Sequence, residues 1–159
     1  MASEQVEALA ARLEKGHAHV LRILGDLSPD QWEQTVYENP TPWRIRDLLA
    51  HFVSAEENLL ALAQEVAAGG AGAPPGFDYD AFNAAEVQRL GPQTAVDLLD
   101  ALTVARKATL DWLRQLDDQA LQLSGRHPAL GEVSLEIMIT AIYGHQLMHM
   151  RDLMPRLGA

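Results

Sequence analysis

The chain has 159 residues, no cysteine, and 22 Asp plus Glu against 12 Lys plus Arg, for a formal charge of −10. That length suits one domain covering residues 1–159 with a real hydrophobic core. The missing cysteines exclude disulfides, thiolate metal ligands and a Cys nucleophile, so any thiol chemistry must bring its thiol from outside. The ten Arg are scattered and the two Lys isolated, which argues against nucleic acid and against an anionic membrane surface as partners.

The N-terminal stretch carries Glu4, Glu7 and Glu14 and no apolar h-region, so it does not read as a signal peptide. A first long helix is expected from Ser3, a good N-cap, to about Gly25, with an apolar stripe of Val6, Leu9, Leu13, Val20, Leu21 and Leu24. Leu27 to Trp32 reads as a short capped turn with Pro29 at its first position. Thr41-Pro42-Trp43 predicts the start of a second long helix, running to about Ala67 through Leu48, Phe52, Ala55, Leu59, Leu62 and Val66. Residues 68–79 hold four Gly and two Pro and read as loop. A short helix is expected over Asp80 to Leu90.

Pro92 then predicts a third long helix, Gln93 to Leu116, buried through Leu98, Leu99, Leu102, Leu110 and Leu113. After a loop at Ser124 to Pro128, a fourth is expected from Ser134 to Met154, closed by Pro155. Its most apolar part, Ile137 to Met150, is too short for a membrane span of about 20 residues and contains Gln146 and two His. The expectation is therefore an all-α, soluble and cytoplasmic protein: a four-helix bundle with no convincing strand. The link of roughly 25 residues between the second and third long helices is long enough to cross the bundle, so those two need not be antiparallel neighbours.

The chemistry concentrates in three histidines. His145 and His149 are four residues apart and point the same way, on the face that carries Met138 and Ile142. His51 lies one turn from Leu48 and from Ala55, beside the apolar stripe of the second long helix. Two nitrogen ligands at i and i+4 plus one distant in sequence form a frequent divalent-metal arrangement. The plainer reading is three separate core histidines, each bonded to a carbonyl; unpartnered, each buried ring would cost roughly 1–3 kcal/mol. His17 also falls on its helix's stripe, as a fourth ligand, an outer partner or a core residue, whereas His19 and His127 read as solvated. A zincin protease needs Glu where Gln146 stands. A di-iron bundle needs two E-x-x-H pairs, and only Glu14 to His17 supplies one.

Trp43-Arg44-Ile45-Arg46-Asp47-Leu48-Leu49-Ala50-His51 has the form W-x-x-x-D-L-L-x-H, preceded by the Leu27 to Trp32 turn and followed far downstream by His145 and His149. In these motifs, and nearly end to end, the chain resembles the DinB/YfiT-like superfamily, which includes the maleylpyruvate isomerase N-terminal domains. The resemblance implies a four-helix bundle with a long crossover, and a divalent metal, zinc or nickel, on His51, His145 and His149. It also implies a homodimer and, in several relatives, transfer or addition of low-molecular-weight thiols such as bacillithiol, mycothiol or glutathione; others are called metal-dependent hydrolases. The DNA-damage association in the family name concerns gene induction and does not imply DNA binding.

The expected function is therefore a metal-dependent transferase that brings an external low-molecular-weight thiol to a small electrophile. The alternatives are a non-catalytic metal- or ligand-binding dimeric bundle and a metal-dependent hydrolase. Tyr143, Gln146 and Arg44 are candidates for touching substrate. Tyr143, Leu147, Met150 and Met154 form a second apolar stripe on the last helix, expected at or near a dimer interface.

Overall fold

A computed structural model of the protein describes residues 1–158. The Ser3 side chain accepts from the Val6 N–H and opens α1 (Glu4–Leu24). Ser28 and Gln31 close a reciprocal capping box over the single turn of α2 (Pro29–Trp32). The next segment departs from expectation. β1 (Thr35–Tyr37) pairs antiparallel with β2 (Trp43–Arg44), with a register irregularity between Thr35 and Tyr37. The second long helix, α3 (Ile45–Ala67), consequently begins two residues after Trp43. Its start is fixed by the Asp47 carboxylate, which accepts from the Arg44 N–H at 2.8 Å, and by the Ile45 N–H, which donates to the Gln34 carbonyl at 2.9 Å.

Asp78 caps α4 (Tyr79–Leu90) and Thr94, rather than Pro92, caps α5 (Ala95–Leu113). A short 3-10 turn leads to β3 (Ser124–His127), paired antiparallel with β4 (Gly131–Ser134). Ser134 then caps α6 (Leu135–Leu153). The two small hairpins correct the expectation of no strand: pieces of two to four residues are too short to show a two-residue period.

The four long helices α1, α3, α5 and α6 share a core of two clusters. One joins Val20 and Leu24 of α1, the Ile45–Val53 half of α3, Leu98 and Leu102 of α5, and Met150 and Leu153 of α6. The other joins Val6 to Leu13, Ala63 and Val66, Leu113, and Leu135 to Ile142. The first half of α3 thus meets the first half of α5, and Arg46 at the start of α3 donates to the Gly91 and Gln93 carbonyls just before α5. These two helices run parallel, and the 68–94 link, including α4, crosses the length of the bundle as expected.

Between the clusters lies a buried ion pair that helical periodicity does not predict. Arg106 of α5, 1% exposed, donates to both carboxylate oxygens of Glu56 at 2.8 and 2.9 Å, to Gln146 Oε1 at 3.1 Å and to the Leu13 carbonyl at 2.6 Å. Thr109 and the Gln146 amide also donate to Glu56. Gln146 is committed to this network and is not free to touch a substrate. Arg44 pairs with Glu33 and Asp47. Tyr143 packs against the second core cluster, with its Cβ close to Gly16.

Met150, expected on the stripe facing a partner copy, is 1% exposed within its own chain's core. No helix among the described residues is long and apolar enough to cross a membrane.

Candidate metal centre

His51 stands on the second turn of α3, and His145 and His149 lie one turn apart near the end of α6. Because α3 and α6 pack together, the three rings meet. His51 Nε2 lies 2.9 Å from His145 Nε2, and His149 Nε2 lies 3.0 Å from the same atom. One ligand atom from each residue falls within 4.8 Å of the others. Trp43 of β2 packs on His51, with ring centroids 5.0 Å apart, and Phe52 packs on His149 at 5.9 Å. Sequence spacing had brought these three residues to the bundle interior, and the fold brings their Nε2 atoms together.

The proton inventory makes the cluster unusual. The Tyr37 hydroxyl donates its single proton to Asp152 at 2.6 Å and lies 2.7 Å from His149 Nδ1. Nδ1 must therefore carry the proton in that contact, which leaves the His149 Nε2 lone pair facing the other two rings. Burial, with help from Asp152, pushes the Tyr37 phenol above its ordinary pKa and keeps it a donor.

Burial and the mutual repulsion of the rings lower His51 to about 2, and burial, with the neighbouring His149 and His127, lowers His145 to about 4. Burial also lowers His149, against the pull of Asp152. All three are neutral at pH 7, and His145 Nε2 holds at most one proton for two close nitrogen neighbours. One contact near 3 Å is thus left without a linear hydrogen bond, and the buried Nδ1 atoms of His51 and His145 have no partner either.

A divalent ion removes the clash of lone pairs. Zn–N bonds of about 2.0–2.1 Å in a tetrahedral arrangement place ligand nitrogens roughly 3.3 Å apart, close to the spacing found. Three neutral imidazoles suit zinc, nickel, copper or iron. The donor set therefore fits a divalent metal.

The histidines open onto a cavity of about 940 Å³ between α3, α4, the β1–β2 loop and the β3–β4 hairpin. His127, expected to be solvated, lines that cavity and is only 9% exposed. Its Nδ1 accepts from the Ala129 and Leu130 N–H groups at 3.1 and 3.2 Å, so the neutral ring carries its proton on Nε2, which has no partner. Its burial is tertiary in origin. The loop after α3 pairs with β3 through Ala73 N–H to Arg126 O and Arg126 N–H to Ala71 O, both 2.8 Å. Gly72 at φ +89° makes this approach possible, since a Cβ there would sit 2.4 Å from the Arg126 nitrogen.

His17 is not part of the cluster: its Nε2 pairs with Thr103 Oγ1 on α5 at 3.2 Å. Arg44 and Tyr143 do not line the cavity either; Trp43 and Tyr37 do. Both aromatic residues lie within or next to the motifs read from sequence, but only the β1–β2 pairing turns them toward the histidines.

The architecture is thus a four-helix bundle with a long crossover and an inward-facing histidine triad whose donor set fits a divalent metal. Residues 12–153 match the model of the DinB superfamily, and the chain belongs to that superfamily. No curated protein matches the chain at a significant level. Among solved structures it is similar to YfiT from Bacillus subtilis, described as a probable metal-dependent hydrolase with an unusual four-helix bundle topology. The identity is 19%, the TM-score 0.75, and 99% of this chain and 90% of that one are covered.

It is also similar to a mycothiol-dependent maleylpyruvate isomerase, at 18% identity and a TM-score of 0.74, covering 94% of this chain but 60% of that one. A third, the colibactin self-resistance protein ClbS in complex with double-stranded DNA, is 14% identical with a TM-score of 0.73 over 96% of this chain and 93% of that one. At these identities the likeness establishes the shared fold.

Proposed function

We propose that the protein holds a divalent ion, zinc or nickel, on His51, His145 and His149, and that it is a metal-dependent transferase joining an external low-molecular-weight thiol to a small electrophile. The observation that carries this reading is the convergence of three neutral, proton-poor Nε2 atoms at the edge of a cavity large enough for a small ligand. Bound there, a divalent ion supplies Lewis acidity with an open coordination position, which favours the thiolate form of a bound thiol.

The chain's own residues do the rest. Tyr37 and Asp152 orient the His149 ring, Trp43 and Phe52 wedge the histidine rings, and the cavity wall shields the reacting sulfur from water. Among the described residues the cavity's only carboxylate is Asp80, on α4, and none joins the three histidines in their cluster. That favours an external nucleophile over a water activated by a Glu base. The mycothiol dependence of one structural neighbour supports the thiol, and the description of YfiT supports the hydrolase as the competing outcome.

The test is cobalt substitution of untagged protein followed by titration with bacillithiol, mycothiol and glutathione. A sulfur-to-cobalt charge-transfer band with one of them is expected, together with turnover of an electrophile panel that is lost in His149→Ala. No metal uptake after supplementation overturns the metal site. Metal uptake with no band for any thiol overturns the transferase and leaves a binding bundle or a hydrolase.

We propose further that the protein is a cytoplasmic homodimer, with the half-buried Leu147 of α6 and Met154 just after it at or near the interface; a monomer by light scattering at micromolar concentration refutes the dimer. The −10 charge supports a protein without a nucleic-acid partner. Saturable, salt-dependent binding of a DNA duplex would contradict that and align the chain with ClbS.

A further inference from the structure

Four large apolar side chains that stay well exposed, Phe77, Tyr79, Leu130 and Met148, at 38, 42, 53 and 50% exposure, all edge the cavity beside the histidines. They come from three separate parts of the chain: the start of α4 and the loop before it, the β3–β4 turn, and α6. Exposed apolar residues scattered singly need no explanation, but a cluster around one concavity marks a surface that something covers. Deeper in, the wall continues with Trp43 and Phe82. The rings of Phe77 and Phe82 are 5.5 Å apart, and the Trp43 ring lies against His51, so aromatic rings contribute to the lining of the space.

The charge of the lining is as informative as its shape. Among the described residues no Lys or Arg contributes to it, and its single charged side chain is Asp80, exposed at the second position of α4. With the chain at −10, a carboxylate entering this cavity meets repulsion, loses its water and finds no cationic side chain to pair with, while under the proposed reading the open position of an ion on the histidines is taken by the thiol. The concave form and a volume of about 940 Å³ suit a small molecule rather than a helix or a strand.

We propose that this cavity binds uncharged, aromatic-sized small molecules and discriminates against carboxylates, so that the electrophile brought to the histidines is a neutral, largely apolar compound. This deepens the transferase reading by naming its substrate class. It parts the chain from a neighbour whose own name specifies maleylpyruvate, a substrate bearing carboxylates.

The test uses three probes on the full chain after chelator treatment: methyl cinnamate, its parent cinnamate, and maleate. Titrations are followed through the Trp43 indole N–H and the backbone amides of 73–83 and 127–130 by NMR. Methyl cinnamate is expected to bind with shifts confined to the cavity and about tenfold more tightly than cinnamate, with no saturable shift from maleate. Asp80→Arg, which reverses the charge at the exposed edge of the lining, should narrow the ester-to-acid ratio by about threefold.

Cinnamate or maleate binding as tightly as the ester, ester shifts that map elsewhere, no binding of the ester at millimolar concentration, or an unchanged ratio in Asp80→Arg each overturn the inference. Because the probes are read on metal-free protein, their result stands apart from the metal reading. Zinc uptake is measured on the same sample, and its failure overturns the metal site while leaving the cavity's preference as found.

Discussion

Tyr37→Phe removes one oxygen atom and with it the sole acceptor for the His149 Nδ1 proton. In the wild type that proton is held at 2.7 Å from the hydroxyl, whose own proton is held by Asp152 at 2.6 Å. A metal on Nε2 draws positive charge onto the imidazole, so the Nδ1–H bond to Tyr37 strengthens when metal binds. Hydrogen bonds to charged groups are worth about 1.5–3 kcal/mol, which converts to a loss of about 10- to 100-fold in metal affinity. The Nδ1 atoms of His51 and His145 have no partner to begin with, so no second outer contact compensates.

Competition against a chromophoric chelator at pH 7.5 reads the zinc affinity directly, with circular dichroism to confirm the fold. Asp152→Asn retains an acceptor oxygen for the phenol and a hydroxyl for His149, so its loss should be smaller, about threefold. Zinc binding by a folded Tyr37→Phe within about twofold of wild type would refute the role given to this relay, since RT ln 2 is far below one charged hydrogen bond.

Three further outcomes are expected. Arg106→Met leaves the Glu56 carboxylate buried with only Thr109 and Gln146 as donors, and should cost about 3–5 kcal/mol in urea unfolding. The double change Glu56→Leu with Arg106→Met should recover most of that, and a double mutant as unstable as the sum of its singles contradicts the pairing. The metal-free protein should lose stability on acidification. His51 and His145 titrate below the unfolded-state value of 6.5 when folded, so the unfolded chain binds more protons below that pH. The contribution is fully present above pH 6.5 and falls as pH drops, by about 3 kcal/mol in total between pH 7.5 and 5.5; equal urea midpoints at the two values would exclude it. Gly72→Ala must place a methyl 2.4 Å from the Arg126 nitrogen at φ +89°. It should cost about 1–3 kcal/mol and speed hydrogen exchange at the Ala73 and Arg126 amides, whereas unchanged exchange there would show that the loop does not depend on the close approach.

The parts of the molecule legible in its sequence are those set by local chemistry. Ser3, Ser28 and Ser134 cap helices because a hydroxyl two or three residues before an apolar run satisfies free amide groups, and His145 and His149 share a face because a helix has 3.6 residues per turn. The boundary at Thr41-Pro42-Trp43 failed for a tertiary reason: β1 recruits Trp43 and Arg44 as a strand partner, and local cap propensity yields to that pairing. His127 was read as solvated because its burial comes from the 71–73 loop lying along β3, a contact with no sequence period. Glu56, one turn from Phe52, and Arg106, one turn from Leu102, were readable as charges inside apolar stripes. What periodicity could not supply was that they sit at one level, which follows from α3 and α5 running parallel.

The two polar clusters in this core also separate structure from function by a physical criterion. Around Glu56, each carboxylate oxygen has donors at hydrogen-bonding distance, and Arg106 is paired on Glu56, Gln146 and the Leu13 carbonyl. A cluster closed in this way needs no ligand, and breaking it costs stability. Around His145, three ring nitrogens crowd into 4.8 Å with too few protons to bond one another, two buried Nδ1 atoms lack partners, and a wide apolar cavity adjoins them. Such an arrangement is costly unless a cation occupies it. The same bundle thus carries one polar group that is complete in itself and one whose nitrogens are left without full pairing. The incomplete group faces the cavity rather than lying between the two core clusters, and that position is the ground for proposing it as the metal site.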